Sequence, residues 1–132
     1  MAKKQTDTDI DSKTLAIAGA KIALERHCTD VVLLDLKGKS PATDYYLIAT
    51  GTSDRQTRTV ADEITEMAKE NGWHLLGKAG YDKGKWVLLD FFDVMVHLLD
   101  EEYRDYYDLE LIWGDAERVE IGMVQNEKPE AE

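Results

Sequence analysis

The sequence holds a single cysteine, Cys28, in 132 residues. A lone thiol excludes an internal disulfide and agrees with a reducing compartment. The three histidines, His27, His74 and His97, are scattered, and neither a CxxC pair nor an HExxH helix is present. No metal site and no cofactor are therefore expected. Long hydrophobic runs are absent too: none approaches the roughly 18 residues that a membrane span requires. The opening stretch MAKKQTDTDIDS lacks an apolar signal core, and with three aspartates and no arginine it is unlike a transit peptide, so a cytoplasmic, bacterial address is expected. Basic residues are few, 16 against 27 acids, for a net charge of −11 and a pI near 4.7. Phosphate binding needs a basic stripe to release counterions, so sequence-specific nucleic-acid binding is excluded and the natural partner should itself be basic.

What is present is a soluble globular composition, 43% hydrophobic and 33% charged. A chain of this size buries roughly two thirds of its unfolded surface, enough for one unstapled core. Residues 1–11 read as a flexible N-terminal segment, 12–121 as one domain and 122–132 as a flexible C-terminal tail. Leu15, Ala18, Ile22 and Ile17, Ala20, Leu24 recur at helical spacing from Ser12 to His27. Val31 to Leu36 is a short branched apolar run that reads as a strand covered on both faces, and Asp44 to Thr50 is a second strand halted by Gly51. Ser53 and Gln56 form a capping box: Ser53 accepts from the third helical amide while Gln56 reaches back. The helix so begun carries Val60, Ile64, Met67 and Ala68 on one stripe and stops at Asn71-Gly72. Trp73 to Lys78 reads as a third strand and Lys85 to Phe91 as a fourth.

A two-residue turn at Phe92-Asp93 would oppose Asp90 with Met95 and Leu88 with His97. Trp86, Leu88, Asp90, Met95, His97 and Leu99 then share one face, and Val87, Leu89, Phe91, Val94, Val96 and Leu98 form the drier one. Such a tight turn requires positive φ at Phe92, which points to a wider loop. Val94 to Leu98 would be a long apolar sheet edge, a site for a homodimer. A short helix comes next over Glu101 to Tyr107, then Leu109 to Trp113, and a piece from Ala116 to Ile121 that reads as either helix or strand. The order of elements fits an α/β fold with a mixed sheet of about five strands flanked by helices.

Two constellations suggest chemistry. His97 and Asp90 on one face could be a base and its orienter, but no nucleophile sits at an elbow, and a half-buried histidine satisfied by a carboxylate is the better reading. Gly51-Thr52-Ser53 before a helix could place amides at an anion, as in nucleotidyltransferases. That chemistry also needs paired aspartates for magnesium, and Trp73 to Asp90 has no such pair; a strand-to-helix turn with a serine cap explains the same residues. A nucleotide-binding or nucleotidyltransferase-type enzyme is thus the alternative to a non-enzymatic binding protein.

The most informative stretch runs from Trp86 through Trp113 and on to Ile121. Between Asp100 and Ile121 there are nine acids and two bases, a net of −7. Tyr103, Tyr106, Tyr107 and Trp113 are threaded through them. Helical spacing puts Tyr103 and Tyr107 on one side and Tyr106 about 100° from Tyr107, so at least one ring should face water. Rings beside charges at a surface are typical interface anchors.

The runs Asp44 to Ser53, Gln56, Trp86 to Asp90 and Asp93 to His97, with Arg104, Tyr107, Leu109-Glu110 and Trp113-Gly114-Asp115-Ala116, resemble the ribosomal silencing factor, or Iojap-like, family over about residues 12–121. Lys78-Ala79-Gly80 departs from the family's acidic residue before glycine, and Phe92 stands where glycine is frequent. The resemblance implies a nucleotidyltransferase-like α/β fold without the catalytic carboxylates. It also implies binding to ribosomal protein fourteen of the large ribosomal subunit, which sterically blocks joining of the small subunit and represses translation. Its docking residues carry over onto Trp86, Asp90, His97, Arg104, Tyr107, Glu110 and Trp113.

Overall fold

The computed structural model describes residues 10–127. Most of the segment expected to be a loose N-terminus, and the last residues of the expected tail, lie outside them. The elements are α1 (Ser12–Glu25), β1 (Thr29–Asp35), β2 (Tyr45–Thr50), α2 (Asp54–Glu70), β3 (Gly77–Ala79), β4 (Trp86–Asp90), β5 (Val94–Leu99), α3 (Glu101–Tyr106), α4 (Leu109–Ile112) and β6 (Glu117–Arg118). They form one mixed six-stranded sheet in the order β3-β4-β5-β2-β1-β6. Among these strands only β2 and β5 run parallel, and the crossover between them carries α2.

Both long helices lie on the same side of the sheet. Leu15, Ala20 and Leu24 from α1 and Val60, Ile64 and Ala68 from α2 are buried with Leu33, Leu47, Ala49, Val87, Leu89, Val96 and Leu98 from the strands. Gly19 allows this approach: a Cβ there would lie 3.1 Å from the Leu47 side chain. The strands alternate, so their other residues emerge on the far side, where Val32, Leu34, Leu36, Ile48, Leu99 and Leu109 form a smaller second core. The short α3 and α4 supply the helical cover on that side.

Helix ends reflect local chemistry. Asp11 accepts from Thr14 N–H at 2.8 Å to start α1, and Ser53 accepts from Gln56 N–H at 3.0 Å to start α2. Gln56 reaches back as expected but to Thr52 N–H, at 2.8 Å. Both helices end in paired bonds from the two residues after the cap. His27 N–H donates to Leu24 O and Cys28 N–H to Ala23 O; Gly72 N–H donates to Lys69 O and Trp73 N–H to Ala68 O. Gly72 holds the left-handed position in one, His27 with φ of 73° in the other.

Several expectations change. Trp73 to Lys78 is not a strand: only Gly77–Ala79 pairs with β4, because Trp73 is drawn under the helices, buried, with its indole N–H donating to Ile10 O at 2.8 Å. Val94 to Leu98 is not an edge, since β5 is paired on both sides, by β2 and β4, and a homodimer through it loses its basis. The Ala116 to Ile121 piece yields the two-residue β6, which pairs with β1 and brings the strand count to six. The hairpin register is as expected, with Leu88 opposite His97 and Asp90 opposite Met95. The wider loop expected there is not formed: Phe92 takes φ of 74° and Asp93 N–H donates back to Phe91 O at 2.9 Å, a strained γ-turn. Beyond β6 the chain is tied down by side chains. Gln125 bonds both the N–H and the C=O of Val31, and Asn126 donates to Leu24 O and Cys28 O.

A β-carbon in the left-handed region costs roughly 1 kcal/mol that glycine avoids. His27→Gly is therefore expected to raise stability by about 1 kcal/mol in a denaturant titration, with the slope unchanged.

Candidate docking face

The register lays out the second sheet face in rows. Leu34, Tyr46, Met95 and Asp90 align across β1, β2, β5 and β4; Val32, Ile48, His97 and Leu88 form the next row; Thr50, Leu99 and Trp86 the third. The β1 end of these rows is covered by Leu109, Trp113 and Ala116. The β4 end is not: Trp86, Leu88, Asp90 and Met95 are half-buried, open to water.

Aromatic rings cross this face in one unbroken series. Trp113 meets Tyr46 edge-on at 6.0 Å, Tyr46 lies 4.7 Å from His97, and His97 lies 6.1 Å from Trp86. Trp86 then contacts Tyr107 at 5.0 Å and Tyr103 at 6.3 Å, and Tyr106 stands edge-on to Tyr107 at 4.7 Å. Exposure rises along the series, from buried His97 to Tyr107 at 42% and Tyr106 at 78%. Helical spacing predicts at least one exposed ring; all three tyrosines are exposed, Tyr106 the most.

The placement of α3 and α4 decides that exposure. Asp100 accepts from Tyr103 N–H at 2.8 Å to begin α3. Arg104 then turns inward and is buried, with Nη1 donating to Thr50 Oγ1 at 2.9 Å and Nε to Glu110 Oε1 at 3.2 Å. The far oxygen of Glu110 faces Arg118 at 3.6 Å. Both bases of the acidic stretch are therefore engaged by Glu110. The acids beside the rings, Glu101, Glu102, Asp105 and Asp108, stand exposed around them.

The carried-over residues fall into two groups. Trp86, Asp90, Tyr107 and Trp113 reach the surface of one face. His97, Arg104 and Glu110 sit beneath it and hold it in place, with only Glu110 partly accessible. His97 is not satisfied by Asp90, which lies one row away with Oδ1 accepting from Phe92 N–H at 2.8 Å. The imidazole Nδ1 instead accepts from the Trp86 indole N–H at 3.2 Å, leaving the proton on Nε2, which has no partner. Burial pushes the His97 pKa down to about 4. Sequence reasoning missed Tyr46 as part of the site. Its signal was available in the alternation of Asp44 to Thr50, but the pairing of β2 with β5 was not.

The Gly51 to Ser53 turn is occupied from within. Gly51 N–H donates to Leu99 O, Thr52 N–H to Gln56 Oε1, and the Ser53 hydroxyl caps α2. The amides of Gly51, Thr52 and Gln56 are thus spent on the fold. Among the described residues no three His, Cys, Asp or Glu side chains cluster as metal ligands, and no helix is long and apolar enough to cross a membrane.

A family model described as "Ribosomal silencing factor during starvation" matches residues 9–132. The chain belongs to the ribosomal silencing factor family. The ribosomal silencing factor of Bacillus subtilis is 36% identical over 118 residues, 89% of this chain and all of the relative. That of Halalkalibacterium halodurans is 39% identical over 97 residues, 74% of this chain and 83% of the relative. The chloroplastic protein Iojap of Arabidopsis thaliana is 28% identical over 95% of this chain and 52% of its own length. A crystal structure of a Chromobacterium violaceum protein superposes with a TM-score of 0.76 at 28% identity, covering 92% of each chain. One from Bacillus halodurans gives 0.68 at 34% identity, over 82% of this chain and 95% of the other. The mixed α/β sheet is thus the fold of solved relatives of the silencing factor chain.

A histidine whose folded pKa lies below its unfolded value of about 6.5 binds protons more readily when unfolded. Its neutral form therefore supports the fold above pH 6.5, and that support is lost as pH falls from about 6.5 towards 4. Unfolding titrations at pH 7 and pH 4.5 should show wild type losing roughly 2 kcal/mol more than His97→Gln. Equal losses would place the acid sensitivity elsewhere.

Proposed function

We propose that the ring-lined sheet face docks on a basic protein of the large ribosomal subunit, ribosomal protein fourteen, and that the bound silencing factor sterically blocks the small subunit, repressing translation. The observation that carries this reading is the aromatic series from Trp113 to Tyr106 on the thinly covered side of the sheet, half-buried over the strands and exposed amid acids at its tyrosine end. Rings give a contact that can be desolvated, and acids around it favour a basic partner and reject an acidic one. A nucleic-acid surface is the wrong complement for both the chain's −11 and this patch. The family's silencing role is met by occlusion alone, with no chemical step.

Sedimentation with isolated large subunits tests the reading. Tyr106→Ala and Tyr107→Ala, both at exposed rings, are expected to fold normally, and the double variant to bind about 30-fold more weakly, the loss of a central anchor worth ~2 kcal/mol. Binding undiminished in the double variant would remove the rings from the contact. Raising salt should slow association more than it hastens release.

A further inference from the structure

Where the turn between β4 and β5, the loop before β2 and Trp113 meet, the docking face sinks into a recess of about 390 Å³. That is near the lower end of the range of ligand pockets, roughly 300–1,000 Å³, and leaves room for one long side chain. Tyr46, Asp90, Phe92, Met95 and Trp113 line it together with the loop before β2, and Asp90 is its one charged residue. In the sheet Asp90 pairs with Met95 and Met95 with Tyr46, which sets the carboxylate beside the thioether on the recessed face. One oxygen of Asp90 accepts from Phe92 N–H at 2.8 Å. Among the described residues its other oxygen has neither a hydrogen bond nor an ion pair. A half-buried carboxylate bordered by apolar groups attracts a cation more strongly than one in open water. Phe92 adds a second observation. It holds φ of 74° in a turn that glycine would adopt without strain, it is 49% exposed, and it belongs to neither hydrophobic core. Neither the turn nor the interior accounts for a phenylalanine there, and strained positions of this kind gather at ligand contacts.

We infer that the recess takes an arginine side chain of the docking partner, with its guanidinium bound to the free oxygen of Asp90 and its flat face against Phe92. The inference deepens the docking reading and rests on it for the source of the side chain. A guanidinium suits this lining better than an ammonium does: it is planar, more weakly hydrated, and lies against an aromatic ring while donating in its own plane to a carboxylate. A lysine would answer the charge but give up more hydration on entering. A neutral amide would bond to Asp90 without the attraction of opposite charges. An acid would be repelled by Asp90 in a chain of net charge −11.

Citrulline, which carries a neutral urea in the shape of the guanidinium, isolates the charge. The full-length, nitrogen-15-labelled chain is titrated with the N-acetyl amides of arginine, lysine and citrulline at equal ionic strength, and the backbone N–H resonances of Phe92 and Asp93 are followed. The arginine probe is expected to move them saturably and to bind at least about fivefold more tightly than the citrulline probe, the equivalent of ~1 kcal/mol. The lysine probe should bind more weakly than the arginine probe. Asp90→Asn keeps an oxygen for the Phe92 amide and removes the charge, so it should bring arginine and citrulline to equal affinity. Phe92→Gly relieves the turn, so it should raise the melting temperature while weakening the arginine probe about threefold, a loss that a residue serving only the fold would not show. Arginine shifts that do not saturate, equal affinity for arginine and citrulline or for arginine and lysine in the wild-type chain, an arginine preference that survives Asp90→Asn, or undiminished arginine binding in Phe92→Gly would each overturn the assignment. Arginine selectivity in a chain that does not sediment with large subunits would keep the recess as a guanidinium site and remove the docking reading. Sedimentation without that selectivity would remove the site alone.

Discussion

Arg104 ends inside the protein, its guanidinium divided between Thr50 at the end of β2 and Glu110 on α4. Every feature of the docking face depends on where that group is held. A guanidinium is always charged and needs its donors met, so burying it fixes its partners rather than leaving them to choice. Once Thr50 and Glu110 are the partners, α4 is pinned over the β1 side of the sheet, with Leu109 inserted into the second core, and α3 is held beside β5. Of β4, α3 meets Trp86 without covering Leu88 and Asp90. Trp86, Leu88, Asp90 and Met95 are left open for that reason, and the tyrosines of α3 stand beside Trp86 instead of inside.

The two sides of the sheet thus divide the work. The side with α1 and α2 supplies a continuous apolar core and most of the burial that keeps the chain folded. The other side has polar groups that a core built only for stability would avoid: a histidine with an unmatched Nε2, a tryptophan with an unmatched N–H, a threonine with an unmatched hydroxyl. All three lie on or under the same patch, next to a strained Phe92. Departures from good local chemistry gather where a protein meets something else. Charge adds to this: the two arginines of the acidic stretch are engaged by Glu110, so the exposed acids around the rings act outward without local compensation.

Much of the fold was readable in the chain because its devices are local. The caps of α2 at Ser53 and Gly72 and the register of the Trp86 to Leu99 hairpin depend on neighbouring residues, and alternation of Val87, Leu89 and Phe91 with Trp86, Leu88 and Asp90 set the faces. What was not readable depended on distant pairing. That β5 lies between β2 and β4, so that Tyr46 joins the face and Val94 to Leu98 is no edge, comes from a parallel crossover that no window of sequence displays. The same holds for His97, whose partner is the Trp86 indole and not a carboxylate, and for Arg104, a docking residue by resemblance that is buried beneath the surface it supports. Trp73 misled for another reason: its apolar neighbours read as a strand, but the helix stop before it drew the ring into the core.

Amide hydrogen exchange on the full chain, alone and saturated with isolated large ribosomal subunits, addresses the central claim most directly. If the thinly covered sheet face is the contact, exchange slows over residues 86–113 and is unchanged over the helical face, 12–25 and 54–70. Slowing confined to those two helices, with 86–113 unaffected, would contradict it.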